Sequence, residues 1–341
     1  MKKLGLPILV IALTLFGCTG IYDFNKDVYK RKIVVESFIN PDSVIKVTVS
    51  WNRPANADSA IEYIEGAFVR IEEDGVLIVS GTTANGTLSS DVYPTAEKSY
   101  RLSVKVEGEP EVTAATSIPP PATDISYSIR EKLRERYTYS FDGIEYVKIP
   151  LYEFAYIAAD ISDITLPLEV PAIWITGYVK YDDGNIAGPA RFGDLYSDSP
   201  HLDQVNSVGD NNDVILRESN IAYERGFIRI HRQALSLALP FTFSMAVPRG
   251  GSYIMNAWGE WIIINEIDPD SSPEQFLLHL TSPSDEYDRH KRSAIKQDLI
   301  YGSLFSSDPV SVYSNIRNGA GIFAGYNTTT VAVPINNPVQ E

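Results

Sequence analysis

Between Tyr100 and Glu107 apolar and polar residues alternate without a break. Tyr100, Leu102, Val104 and Val106 stand against Arg101, Ser103, Lys105 and Glu107. Only an extended strand sends such residues to opposite faces, one buried and one wet. The same period recurs over Lys32–Phe38, over Ile45–Trp51, where Val47, Val49 and Trp51 share a face, and over Ala67–Glu73, where Val69 and Ile71 do. Asp74-Gly75 then precedes Val76–Ser80, and Asp-Gly between two apolar runs is a strong hairpin signal. Val112–Ser117 completes the set. Short antiparallel strands at this spacing predict an immunoglobulin-like or transthyretin-like β-sandwich over residues 32–118. The 20 tyrosines and 13 phenylalanines suit strands, and 22 glycines and 21 prolines supply turns.

Ile118-Pro119-Pro120-Pro121 follows. Three prolines cannot sit inside a sheet ladder and favour a stiff connector. Residues 119–123 are therefore read as a linker between two β-sandwich-like domains, the competing reading being a loop inside one larger domain. Residues 124–341 read as mostly β, with candidate strands at Tyr146–Ala159, Ala172–Tyr181, Gly226–Arg232, Pro240–Val247, Glu260–Glu266 and Phe276–Thr281. Arg130–Arg136 fits a strand edge or a turn of helix. Gly184–Asp213 is long and polar, the composition of a functional or mobile loop. One helix is expected near residues 283–301. Ser282 would cap it, Pro283 would take its first position, and Asp285 would sit at its positive end. Tyr287, Ala294, Ile295 and Leu299 form its stripe, and Gly302 can end it.

The chain starts with an address. Lys2 and Lys3 precede an apolar run from Leu4 to Phe16, followed by Gly17 and Cys18, the only cysteine. A basic start, a short apolar core and a small residue before the cut make a secretory signal. The run is shorter than the ~20 residues a spanning helix needs. A cysteine directly after it resembles the lipobox of bacterial lipoproteins. Residues 1–17 are thus expected to leave as a signal peptide. Cys18 is expected to carry the lipid, palmitate among its acyl chains, and residues 18–31 to act as a tether. A cleaved secretory peptide without lipid is the alternative. No other cysteine remains, so the exported body must hold itself together by packing. The formal net charge is −15 and the signal is basic, so the body is more acidic still. That argues against nucleic-acid partners and against a polybasic grip on lipid.

Catalytic motifs are missing from the sequence. It contains no Gly-x-Ser-x-Gly elbow, and His201, His231, His279 and His290 are scattered without zinc spacing. A non-enzymatic role is expected, and no cofactor. A pair of carboxylates across a cleft depends on fold, so a hydrolase stays as a third reading. Calcium is the one candidate metal: Asp210, Asn211, Asn212 and Asp213 offer hard oxygen ligands, although the same residues make ordinary polar turns. Trp258, beside Gly259, is the candidate exposed aromatic for a sugar platform, whereas Trp261 fits a buried strand. Gly319, Gly321 and Gly325 surround Ile322-Phe323, which reads as a structural closing strand that another backbone approaches closely. Asn315 suits a hydrogen bond to the loop backbone.

Two groups of residues resemble one family. The first is Lys32–Asn40 with Gly66–Ile71 and Ser99–Val104. The second is Asp308–Ile316 with Gly319–Tyr326. Together they resemble the exported Bacteroidetes lipoproteins grouped as domain-of-unknown-function family 4249, over nearly all of the chain after the signal. Members often place a glycine just before the tyrosine strand, where this chain has Glu97 or Lys98. The resemblance carries no catalytic residues. It implies an outer-membrane lipoprotein, anchored through its lipid, that acts as accessory or ligand-capture partner of a TonB-dependent receptor. A free-standing adhesin or glycan binder is the alternative. Asp42-Ser43-Val44 and Asp58-Ser59-Ala60 also resemble the short pattern that Bacteroidetes glycosylate on exported proteins, which makes Ser43 and Ser59 candidate O-glycosylation sites.

Overall fold

The computed structural model describes residues 30–53, 60–141, 146–187, 192–193, 227–232, 241–248, 252–255, 261–265, 273–301 and 311–334. Seven strands come first: β1 (Ile33–Ile39), β2 (Lys46–Trp51), β3 (Phe68–Glu73), β4 (Val76–Thr82), β5 (Thr87–Ser89), β6 (Ser99–Lys105) and β7 (Val112–Ser117). Then follow β8 (Thr123–Phe141), β9 (Tyr146–Thr165), β10 (Ala172–Tyr181), β11 (Ile186–Ala187), β12 (Phe192–Gly193), β13 (Phe227–His231), β14 (Phe241–Pro248), β15 (Ser252–Met255), β16 (Trp261–Asn265) and β17 (Pro273–Pro283). The helix α1 (Asp285–Tyr301) and β18 (Ala320–Pro334) close the chain. The protein is mainly β.

The first seven strands form an immunoglobulin-like sandwich. One layer carries β1-β2-β5 and the other β4-β3-β6-β7. The alternation seen in the sequence is the reason. Val35, Val47, Val49, Val69, Ile71, Leu102 and Val104 are all fully buried between the layers, while their polar neighbours face out. Trp51 and Val106, at strand ends, pack on the core only in part. Asp74 and Gly75 both have positive φ (47° and 83°), the backbone of the two-residue hairpin turn whose twist matches its strands. The Asp74 carboxylate accepts from Lys98 Nζ (2.8 Å) and from the Ser99 amide (3.0 Å), contacts that hold its pKa at about 2.

Tyr100 ties the sandwich at its end. Its hydroxyl accepts from the Thr95 amide (2.6 Å), and its proton is shared between the Thr95 carbonyl (2.8 Å) and the Glu73 carboxylate. A tyrosine near the start of this strand, bonded to backbone a few residues upstream, is the tyrosine corner of immunoglobulin-like sandwiches. Burial and the Glu73 charge push the phenol pKa well up. Just before this strand Glu97 sits at φ +63°. The backbone there is left-handed, a conformation glycine adopts most readily, and Glu97 takes it with a side chain. Leu102 has no exposure, and Leu102→Ala is expected to cost about 2–5 kcal/mol in chemical denaturation. A change within about 0.5 kcal/mol, as at surface sites, would show that this face is not core.

The layer that begins at β1 does not stop there. β18 lies parallel to β1, with Val35 beside Gly321 and Phe38 beside Ala324. β17 follows antiparallel to β18, then β10, whose far edge pairs with β11 and β13. The result is one eight-stranded sheet shared by the two ends of the chain. Ile316 and Phe323 belong to the same core as Val35 and Leu102. The closing strand expected from the glycines is therefore β18, and its glycines have geometric causes. A Cβ on Gly321 (φ +103°) would lie 2.1 Å from the Val35 carbonyl oxygen, and one on Gly325 would lie 2.2 Å from that of Ser117. Asn315 bonds the backbone of two strands, β7 and β18, where loop backbone was expected. Its side-chain amide donates to the carbonyls of Ala115 (3.0 Å) and Phe323 (2.7 Å), and its oxygen accepts from the Phe323 amide (3.0 Å).

The proline segment lies under this seam. Pro119 and Ala122 are buried. Asn327 donates to the Pro119 carbonyl (3.2 Å), and the Thr329 hydroxyl donates to that of Ala122 (2.9 Å). Residues 119–123 thus carry native contacts to β18 and are not an exposed tether between bodies. Beyond them, Arg130–Arg136 falls inside the long strand β8, which pairs with β9 in the four-stranded sheet β12-β14-β9-β8. β15 and β16 form a separate hairpin.

The helix starts later than its sequence suggests. Ser284, not Ser282, is the cap: its hydroxyl accepts from the Tyr287 amide (3.2 Å) and its carbonyl from the Asp288 amide (3.0 Å). Pro283 is the last residue of β17, opposite Tyr326. Ser282 is buried in that strand, and its hydroxyl has no partner among the described residues. Two cap-like serines flank one proline, and sheet pairing decides between them. Asp285, Glu286 and Asp288 in the first turn suit the positive helix end.

Candidate functional site

The helix α1 packs on β18 and β17 and covers part of the outer face of the shared sheet. Strand alternation decides what that face presents. In β1 the inward residues are Ile33, Val35, Ser37 and Ile39, so Phe38 points away from the sandwich core and is 39% exposed. The sheet pairing carries the same face through Tyr326 of β18, His279 of β17 and Tyr178 of β10. Tyr287 and His290 come down from the helix.

These rings form a file. His290 lies 5.8 Å from Phe38, Phe38 lies 5.7 Å edge-on to Tyr287, and Tyr287 lies 4.9 Å from Tyr326. Tyr178 is close enough to oppose ionisation of both Tyr287 and Tyr326, and its own ring rests on His279 at 4.7 Å. Such offset and edge-on contacts add about 0.5–1.5 kcal/mol per pair beyond burial. Burial pushes the Tyr287 and Tyr326 phenols up, and it pulls His279 down, so the imidazole is neutral at pH 7.

The turn after β1 holds one end of the file. Asn40 is buried, and its amide nitrogen donates to Tyr326 Oη (2.8 Å) and to Ser43 Oγ (2.9 Å). Its oxygen accepts from the Asp42 amide (2.9 Å). The phenol oxygens of Tyr178 and Tyr287 have no protein hydrogen-bond partner among the described residues.

A buried ion pair fixes the helix against the sheet. Arg229 of β13 reaches Asp288 with two parallel bonds, Nε to Oδ1 and Nη2 to Oδ2, both 2.7 Å. Trp174 Nε1 donates to the same Oδ1 at 2.9 Å. Arg229 is 1% exposed and Asp288 2%. Asp288 stands between Tyr287 and His290, the helix residues that carry rings, so this pair sets the height and rotation of the candidate surface.

The site residues expected from sequence distribute unevenly. Ser43 is exposed in the turn after β1, where its hydroxyl accepts from Asn40 Nδ2. Cys18, Ser59, Trp258 and the candidate calcium ligands Asp210, Asn211, Asn212 and Asp213 lie outside the described residues. Among the described residues no group of three or more His, Cys, Asp and Glu side chains is placed to hold a metal ion. No described helix is long and apolar enough to cross a membrane. The aromatic file was not foreseen. Its members come from four strands and a helix, and the one local signal is the alternation that leaves Phe38 outside the core.

No curated protein matches the chain, and no solved structure does. One family model does, over residues 21–332 of the 341. The chain belongs to that family, the domain of unknown function DUF4249.

Proposed function

We propose that this protein is a lipid-anchored lipoprotein of the outer membrane that works, without catalysis of its own, as a ligand-capture partner of a TonB-dependent transporter. The observation that carries the reading is Cys18 directly after a basic, short apolar segment. Several acyl chains on one residue anchor stably, at ~0.8 kcal/mol for each buried methylene. An anchor keeps the body within a thin layer at the membrane, where its effective concentration at a neighbouring receptor is high. Supporting the capture role, the body presents a file of partly exposed rings on one side of a rigid sheet. A stable contact with the transporter would bury at least ~1,000 Å². A second reading, a free-standing glycan-binding adhesin, draws on the same rings and differs in needing no transporter.

Cys18→Ser is expected to move the protein from the membrane pellet to a soluble fraction. The wild type, solubilised in detergent, is expected to bring down an outer-membrane transporter identified by mass spectrometry. A Cys18→Ser protein that still pellets, with no acyl mass on the wild type, contradicts the anchor. Capture of no transporter contradicts the partner and favours the adhesin.

A further inference from the structure

We propose that the end of the sandwich where the N-terminal chain enters lies on a phospholipid surface, with Ile61 and Tyr63 set into the membrane–water interface. The inference rests on the anchor reading and says which way the anchored body faces.

Three observations carry it. The first is where the tether ends and how it is held. Ile33 pairs with Trp51, so the start of β1 and the finish of β2 share one end of the sandwich. There Asn52 clamps the incoming chain. Its side-chain nitrogen donates to the Lys30 carbonyl (3.1 Å), and its side-chain oxygen accepts from the Lys32 amide (2.7 Å). Its own amide donates to the Lys32 carbonyl (3.0 Å). The Arg31 guanidinium lies 4.0 Å over the Trp51 ring and pairs with Glu62. Only residues 18–29 stand between this clamp and Cys18. Even fully extended, a chain of that length reaches about 40 Å. The clamped end is thus kept near the bilayer, and the far end is a further strand length, ~23 Å, away.

The second observation is what the clamped end exposes. Residues 61–64 run beside β2: the Trp51 amide donates to the Glu62 carbonyl (2.9 Å), and the Ile64 amide to the Val49 carbonyl (3.0 Å). Ile64 enters the core, while Ile61 and Tyr63 are 48% and 51% exposed. Gly86 backs Tyr63 so closely that a Cβ there would lie 2.4 Å from the Tyr63 Cβ. An apolar ring with a polar tip suits the headgroup level of a membrane.

The third is charge. The whole chain carries −15. At the clamped end, the described bases Lys30, Arg31, Lys32, Arg53, Lys105 and Arg317 offset Glu62, Glu65, Glu107, Glu109 and Glu111. At the far end only Lys46 and Lys98 stand against Asp42, Glu73, Asp74, Asp91 and Glu97. The far end also exposes apolar side chains, Val76 and Leu77, but its acids repel an anionic surface. The clamped end is free of that repulsion, and its hold on lipid comes from Ile61 and Tyr63.

The test uses the full mature chain with Cys18→Ser and an N-terminal hexahistidine. Vesicles of phosphatidylethanolamine and phosphatidylglycerol with a nickel-chelating lipid then hold it by its tether, whatever Cys18 carries in the cell. No other cysteine is present, so Ala60→Cys or Leu77→Cys takes a single fluorescent label. Ala60 is exposed beside Ile61, and Leu77 marks the far end. A group at the headgroup level is withdrawn from water, so acrylamide quenching at position 60 is expected to fall about threefold or more on vesicles. Quenching at position 77 should stay as in solution. Adding Ile61→Ser and Tyr63→Ser, both at exposed sites, should restore quenching at position 60 with the melting temperature in place. Equal quenching of the two labels on vesicles, greater protection at position 77, or protection that survives the two serines overturns the proposal. The acyl mass of wild-type Cys18 is read separately. A protected position 60 with no acyl mass supports the surface and overturns the anchor. Acyl mass with position 60 unprotected does the reverse.

Discussion

Replacing Asp288 with alanine is expected to lower stability by about 3–5 kcal/mol, because it breaks a buried bidentate ion pair. Arg229 is 1% exposed and stays protonated at any accessible pH. In the wild type both of its bonds to Asp288 are 2.7 Å, and Trp174 supplies a third donor to the same carboxylate. Alanine takes the bidentate carboxylate away from a buried guanidinium and from the indole N–H of Trp174. Asp288→Asn keeps one acceptor and should cost less. Urea denaturation of the two variants reads this as a shift in midpoint at unchanged slope. A midpoint for Asp288→Ala equal to that of the wild type would mean that the pair is open to water.

Gly321→Ala is the second large effect. The position has φ +103°, and an added Cβ would sit 2.1 Å from the Val35 carbonyl oxygen. Overpacking costs about 1–3 kcal/mol, and a left-handed backbone adds ~1–2 kcal/mol for a residue with a Cβ. The atom in the way belongs to backbone, so no rotamer change relieves it. The damage falls on the ladder between β1 and β18, where the two ends of the chain meet. Hydrogen exchange should therefore speed up in Val34–Ile39 and in Ala320–Gly325 together, before it does in β3 or β6. Equal protection in wild type and variant would show that the two strands are not paired as described.

Much of the sandwich was legible because burial on one face imposes a period of two. Tyr100, Leu102 and Val104 declare their strand with no knowledge of any partner, and Asp74-Gly75 declares its turn. The strands Ala172–Tyr181 and Phe276–Thr281 were legible as apolar runs, although β10 buries all of Ala172–Ile175 and so breaks the period of two. What sequence could not supply was who pairs with whom. β1 and β18 are separated by nearly the whole chain, and parallel pairing leaves no local turn to betray it. Pro119–Pro121 has the composition of a linker, yet Asn327 and Thr329 bind the carbonyls beside it. The helix start was misplaced by two residues because Ser282 and Ser284 are equivalent as sequence, and only the pairing of Pro283 with Tyr326 separates them. The ring file was hidden for a similar reason. Phe38, Tyr178, His279, Tyr287 and Tyr326 are ordinary aromatics on separate elements until the sheet order brings them to one face. Arg229 and Asp288, 59 residues apart, carried no signal at all.

The account turns on one structural claim, that the C-terminal strand completes the N-terminal sandwich. The direct measurement is thermal unfolding of the fragment 30–118, followed by circular dichroism, beside that of residues 30–341. Without β18 the fragment lacks Ile316 and Phe323 from its core and leaves the β1 edge unpaired. It is expected to melt without a cooperative transition, or far below the whole chain. A fragment that melts cooperatively at the temperature of the whole chain would contradict the claim.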